Sequence, residues 1–167
     1  GYYQTLTVSD GVTLQAERVI LGSKAKIIVE AGGKFLVTGE QGITANLAEN
    51  LVLKTSSTAQ AIFLVNPSVN ANKHPQSQVQ LYSKGCKIAE DNYVWQRFGV
   101  PSYETTLTFS EILKDVPSAY MKLEGDEWIE VPVGSWGTEK LVPFTTYAVT
   151  TNSAVPGAVY TFNCSLV

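Results

Sequence analysis

Short runs of β-favouring residues, separated by glycine, aspartate or serine, fill the first part of this chain. The runs lie at residues 5–8, 12–14, 26–29, 34–37, 51–53 and 61–65. Valine, isoleucine, leucine, phenylalanine and threonine dominate these runs, and no helical period competes with the strand pattern. The pattern predicts an all-β fold.

The spacing of these runs narrows the fold further. Val8 and Val29 are 21 residues apart, and Val29 and Leu53 are 24 apart. Strands that recur at such intervals between turns are typical of the rungs of a β-solenoid, in which inward aliphatic side chains stack. A meander of hairpins, with turns at residues 10–11 and 32–33, also fits the glycines. The sequence leaves both interpretations open.

The chain divides into two parts around a polar segment. Residues 67–77 are rich in turn formers, and we predict a seam there between a β-solenoid-like or meander layer, residues 1–66, and a more aromatic part, residues 78–167. In the second part, alternation at residues 78–83, 93–98 and 127–131 predicts half-buried antiparallel strands of a sandwich or jelly-roll-like structure. The pattern allows at most one short helix, residues 110–115, capped by Ser110.

Composition excludes several classes of partner. Only 16% of the residues are charged, the net charge is −3 and the lysines are scattered, so we expect neither nucleic acid nor anionic membrane as a partner. No apolar run is long enough for membrane insertion. Cys86 and Cys164 lack metal or redox spacing, and either one long-range disulfide or two free thiols fits the sequence.

Residues that could carry out chemistry are sparse. His74 is the single histidine and lies in the polar seam, so we predict a solvated loop histidine rather than a triad member. Four carboxylates surround Gly125, and we interpret them as a solvated hairpin turn rather than a calcium loop or hydrolase pair: Glu124, Asp126, Glu127 and Glu130. We therefore predict no catalytic residue, no metal ligand and no cofactor.

The aromatic residues are the one feature that indicates a ligand, because exposed planar rings stack on sugars. Trp95 and Trp128 alternate with polar residues, and we predict that both lie in the core. Trp136 lies between two glycines, which predicts an exposed ring. The candidate glycan contacts are Trp136, Tyr103 and Tyr120.

The order of these segments resembles modules of large secreted Bacteroidetes surface proteins, many of them type IX secretion substrates. The resemblance is carried by residues 28–35, 50–54, 95–101, 143–149 and 160–166. It implies a β-rich module exported to the cell surface or the extracellular space.

Together these features predict a non-catalytic structural or adhesive module, such as a stalk or spacer, with a surface glycan or another surface protein as its partner. The alternative is a carbohydrate-binding module of a larger surface glycan-degrading protein. A third hypothesis, a polysaccharide lyase on a β-helix, needs a base beside clustered carboxylates. The predicted rungs offer only Lys26, Lys34 and Glu30 for it.

Overall fold

The computed structural model describes residues 4–66, 68, 75–84, 94–100, 107–113, 118–143, 145–151 and 157–166. Its fold is mostly β, which confirms the all-β prediction. The chain forms two compact units. The first contains Gly1–Leu81 and Thr161–Val167, and the second contains Tyr82–Tyr160.

The first unit winds its strands into stacked circuits. The first circuit contains β1 (Gln4–Val8), β2 (Thr13–Ala16) and β3 (Val19–Leu21). The second contains β4 (Ala25–Val29), β5 (Lys34–Val37) and β6 (Ile43–Ala45), and the third contains β7 (Leu51–Leu53) and β8 (Ile62–Val65). Equivalent strands of successive circuits pair in parallel, which gives the sheet orders β1-β4-β7, β2-β5-β8 and β3-β6.

The strand register explains the intervals seen in the sequence. Val8 pairs with Val29, and Val29 pairs with Leu53, so 21 and 24 residues are the lengths of successive circuits. Hairpins at residues 10–11 and 32–33 would instead pair β1 with β2 and β4 with β5, and these strands belong to different sheets. The hairpin alternative is therefore wrong for these turns.

The interior of this unit is a stack of apolar side chains. Val8, Val29 and Leu53 are buried in one column. Phe35 is fully buried in the second sheet and packs on Phe63 of the next circuit, with ring centroids 5.6 Å apart. Each circuit covers the apolar residues of its neighbour, which is how short strands reach a continuous core.

A buried asparagine and a corner glycine lie where successive circuits come close together. Asn50 is buried, and its side-chain amide donates to the carbonyl oxygens of Ala25 at 2.7 Å and Gly22 at 3.3 Å. Its Oδ1 accepts from the Leu47 N–H at 3.1 Å. At the corner after β4, a Cβ on Gly33 would lie 2.7 Å from the backbone oxygen of Val8. Only glycine permits that approach of one corner to the next.

The chain returns to the first unit at its end. β9 (Gln76–Tyr82) pairs in parallel with β7, and β14 (Val159–Ser165) lies beside β9 at the edge of the same sheet. Leu166 N–H donates to the Pro75 oxygen, and Ser83 N–H donates to the Ala158 oxygen. Residue numbers rise along β9 as those of the paired residues fall along β14, so the two strands are antiparallel.

These strands correct the predicted domain boundaries. The division falls between Leu81 and Tyr82 rather than within residues 67–77, because β9 extends the first unit's sheet instead of starting an antiparallel part. Residues Thr161–Val167, predicted to belong to the second part, complete the first unit. Of the predicted seam, the structure describes only residues 68 and 75–77.

In the described part of the second unit, four strands form an antiparallel sheet in the order β10-β13-β11-β12. Its strands are β10 (Gln96–Gly99), β11 (Ser118–Glu124), β12 (Glu127–Glu130) and β13 (Thr146–Thr151). Among the described residues, α1 is an α-helix that spans Phe109–Leu113 rather than the predicted residues 110–115. The side chain of Glu111 accepts from the Thr108 N–H at 2.7 Å, so Thr108 and not Ser110 precedes the first turn.

Candidate functional site

The four-stranded sheet has two different faces, which the strand register assigns. Tyr120 pairs with Val149, Lys122 with Tyr147, and Phe98 with Tyr147, so these side chains share one face. We call it the covered face, because α1 and residues 131–141 pack on it. Side chains one position along point to the opposite face, here called the open face, which carries Arg97, Met121, Leu123, Trp128, Ala148 and Thr150.

An aromatic cluster fills the covered face. The Phe109 ring packs on Tyr120 and Tyr147, with centroid distances of 4.8 and 5.2 Å. Tyr120 is 2% exposed, and its hydroxyl donates to the Phe109 carbonyl oxygen at 2.9 Å. Its assignment as a candidate glycan contact is therefore wrong, because both the ring and the hydroxyl are used inside the unit.

Trp136 belongs to the same cluster. A short 3₁₀ turn at Val133–Ser135 brings its ring edge-on to Tyr120, at a centroid distance of 4.9 Å. The indole Nε1–H donates to the Val131 carbonyl oxygen at 2.9 Å. Trp136 is half-buried rather than fully solvent-facing as predicted, since the neighbouring glycines belong to a turn that folds back onto the sheet.

Trp95 and Trp128 are the exposed tryptophans, at 38% and 37%, which reverses the prediction that they lie in the core. Trp128 lies on the open face, directly across from the exposed Leu123 on β11. Extending the alternation of β10 by one residue places Trp95 on that face as well. Between them lie the small buried residues Ala148 and Thr150 of β13, and the Thr150 hydroxyl has no hydrogen-bond partner among the residues that the structure describes.

A hairpin joins β11 to β12 and carries the carboxylates around Gly125. Glu124 pairs with Glu127 across the turn, where Gly125 has a φ of 62°. This confirms the hairpin interpretation. Lys122 contacts Glu124 at 2.8 Å and Glu139 at 3.2 Å, and these two hydrogen-bonded carboxylates raise the pKa of its ammonium group. The Glu139 contact ties the hairpin to the segment over the covered face.

One feature of the sequence does indicate that β12 is exposed, although the alternation around Trp128 predicts a core position. Residues 127–130 place Glu127 on one face and Glu130 on the other, and all four residues are exposed. Carboxylates on both faces are typical of a strand that projects beyond the core. The large side chains at residues 128 and 129 between them were therefore weak evidence for burial.

Several predicted residues lie elsewhere. Cys164 is a buried free thiol, and its Sγ lies 3.6 Å from Ser77 Oγ. Burial raises its pKa to about 11, although the Ser77 hydrogen bond acts in the opposite direction. Because Cys164 is a free thiol, the disulfide with Cys86 that the sequence left open is not formed. Cys86, Tyr103 and His74 lie outside the described residues, so the glycan contact of Tyr103 and the solvated-loop interpretation of His74 stay predictions.

Comparisons with known proteins add no relative. Searches against protein-family models, curated proteins and solved structures found no match to this chain. Within the described ranges, no group of three or more histidine, cysteine or acidic side chains is arranged to hold a metal ion. The same part of the chain contains no helix that is long and apolar enough to span a membrane.

Proposed function

We propose that this chain is a non-catalytic structural or adhesive module of an exported bacterial surface protein. In this proposal, the first unit is a short β-solenoid. It presents the second unit, which is the antiparallel, sandwich-like part. The observation that carries the proposal is topological. Tyr82–Tyr160 is inserted between β9 and β14, two neighbouring strands of one sheet.

The direction of the strands favours presentation over a simple spacer role. β1, β4, β7 and β9 run in parallel, and β14 runs against them, so the start of β1 and the end of β14 lie at the same end of the sheet. The second unit is joined at the opposite end, after β9 and before β14. Two neighbouring strands of one sheet therefore carry both connections to residues 82–160.

The experiment is an adhesion assay under flow. Beads carrying the chain through its ends are tested on surfaces coated with glycans or with extracellular proteins. We expect retention that falls when Trp128 is changed to alanine and persists when Ile20, an exposed residue of the first unit, is changed. Release of oligosaccharides from a glycan surface, or equal loss for both variants, contradicts the proposal.

A carbohydrate-binding module is the second candidate function, and the exposed Trp95 and Trp128 favour it. Flat aromatic rings on a sheet face stack on sugar rings, and the aliphatic Leu123 beside Trp128 widens that surface. Titration of soluble glycans should quench tryptophan fluorescence, and the Trp128→Ala variant should lose part of the response. An unchanged response in that variant removes Trp128 from the candidate site.

A further inference from the structure

We propose that the free edge of β12 binds an extended, basic polypeptide segment, which joins the sheet as an additional strand. The inference goes beyond the proposed function, because it concerns the backbone edge of β12 and not sugar stacking on the open face. Strand addition is a general mode of peptide recognition, in which main-chain hydrogen bonds provide affinity and side chains provide selectivity.

The hydrogen-bonding pattern of the hairpin identifies the free groups. Val131 N–H donates to the Tyr120 carbonyl oxygen at 2.9 Å, so the Val131 amide group points towards β11 across the hairpin. In an antiparallel ladder, residues whose amide groups point towards the neighbouring strand alternate with residues whose amide groups point away from it. Ile129 lies two residues before Val131, so its amide group also points towards β11. The amide groups of Trp128 and Glu130 therefore point away from β11. No strand in the described part of the sheet lies on that side.

The side chains of β12 present the same two features on each face of the edge. Ile129 is 39% exposed and shares its face with Glu127, whereas Trp128 shares the opposite face with Glu130. An incoming strand meets one apolar group and one carboxylate on either face. Cross-strand neighbours lie about 5 Å apart, so lysine or arginine side chains reach the carboxylates while β-branched residues pack beside Trp128 and Ile129.

Charge selects the partner. Lys122 is already engaged by Glu124 and Glu139, and within the described ranges neither Glu127 nor Glu130 takes part in an ion pair. Pairing of β12 with β12 of a second copy would bring four such carboxylates into one ribbon without a cation between them. Like charges across strands are destabilising, so the edge disfavours its own copy and favours a basic strand.

The test uses the full chain labelled for NMR and a short peptide of alternating lysine and valine with blocked ends. We expect the peptide to slow hydrogen exchange at the amides of Trp128 and Glu130, with binding that weakens as salt increases. A peptide of alternating glutamate and valine is the chemical control, and we expect it to give no protection.

A charge-reversed chain distinguishes loss of binding from loss of folding, because a variant that gains affinity for the opposite peptide must be folded. The double variant Glu127→Lys, Glu130→Lys should lose affinity for the lysine peptide by about tenfold or more and gain affinity for the glutamate peptide. Its matched control, Glu17→Lys with Glu40→Lys, makes the same charge change at exposed positions of the first unit and should bind as the original chain does.

Three results overturn the proposal. The first is unprotected Trp128 and Glu130 amides at saturating lysine peptide, which would mean that the acidic edge only prevents strand pairing. The second is equal binding of both peptides. The third is protection of these amides that rises with protein concentration alone, which would assign the edge to a second copy.

Discussion

Replacement of Trp136 by alanine tests the packing of the second unit most sharply, because the sequence and the structure predict opposite results. The structure packs the indole edge-on to Tyr120 and bonds its N–H to the Val131 oxygen. A fully buried tryptophan changed to alanine costs about 3–5 kcal/mol, and the partial exposure of Trp136 lowers that figure. The loss of a donor for Val131, a buried residue, adds about 1–3 kcal/mol.

These contributions give an expected loss of about 3 kcal/mol in the free energy of unfolding. For a unit of this size, the midpoint of thermal unfolding should fall by roughly 15 °C. Near-ultraviolet circular dichroism and calorimetry measure the change. Trp136→Phe, which keeps a ring and removes the donor, should lie between the original chain and the alanine variant.

Trp128→Ala is the matched control, since Trp128 lies on an exposed edge strand. We expect it to cost below about 1 kcal/mol. A midpoint that falls more for Trp128→Ala than for Trp136→Ala refutes the packing of Trp136 on Tyr120 as a stabilising contact of the second unit.

Three further predictions concern the first unit. Cys164 should resist alkylation at neutral pH until the chain is unfolded. Because folding raises its pKa from 9.0 to about 11, the free energy of unfolding should fall as pH rises through that window, and this pH dependence should be absent in Cys164→Ala. Asn50→Ala should cost about 2–4 kcal/mol in chemical denaturation, since it leaves the Leu47 N–H and the Ala25 oxygen without their partner, and a smaller loss contradicts the role of Asn50 between circuits. Gly33→Ala should cost about 1–3 kcal/mol by the same measurement, because the new Cβ would collide with the Val8 oxygen. Gly22→Ala, with open space at its Cβ, should be nearly neutral. Equal effects of the two changes would argue against stacked corners.

The all-β character of the first unit and the interval between its equivalent strands could be predicted from the sequence. Val8, Val29 and Leu53 show the length of each circuit directly, because every circuit must place an aliphatic residue over the last one. The sequence could not distinguish stacked corners from hairpin turns at residues 32–33. Glycine is common in hairpin turns and in stacked corners alike. The two differ in whether the preceding corner packs closely on the glycine, and the local sequence does not show that contact.

The second unit was less predictable, because burial there depends on which strands lie at the edge of the sheet. Residues 127–131 alternate like a half-buried strand, yet β12 is the edge strand and Trp128 is exposed. Trp136 follows turn residues that usually indicate exposure, but its turn closes over Tyr120. Such long-range contacts are not contained in local alternation.

Mechanical unfolding of the single chain, pulled through residues 4 and 166, tests the insertion of the second unit most directly. Both pulling points lie in the first unit, so its strands must separate before the second unit extends. We predict that the release of Tyr82–Tyr160, roughly 270 Å at about 3.4 Å a residue, follows the opening of the first unit. Release of that length while the first unit stays folded would contradict the account.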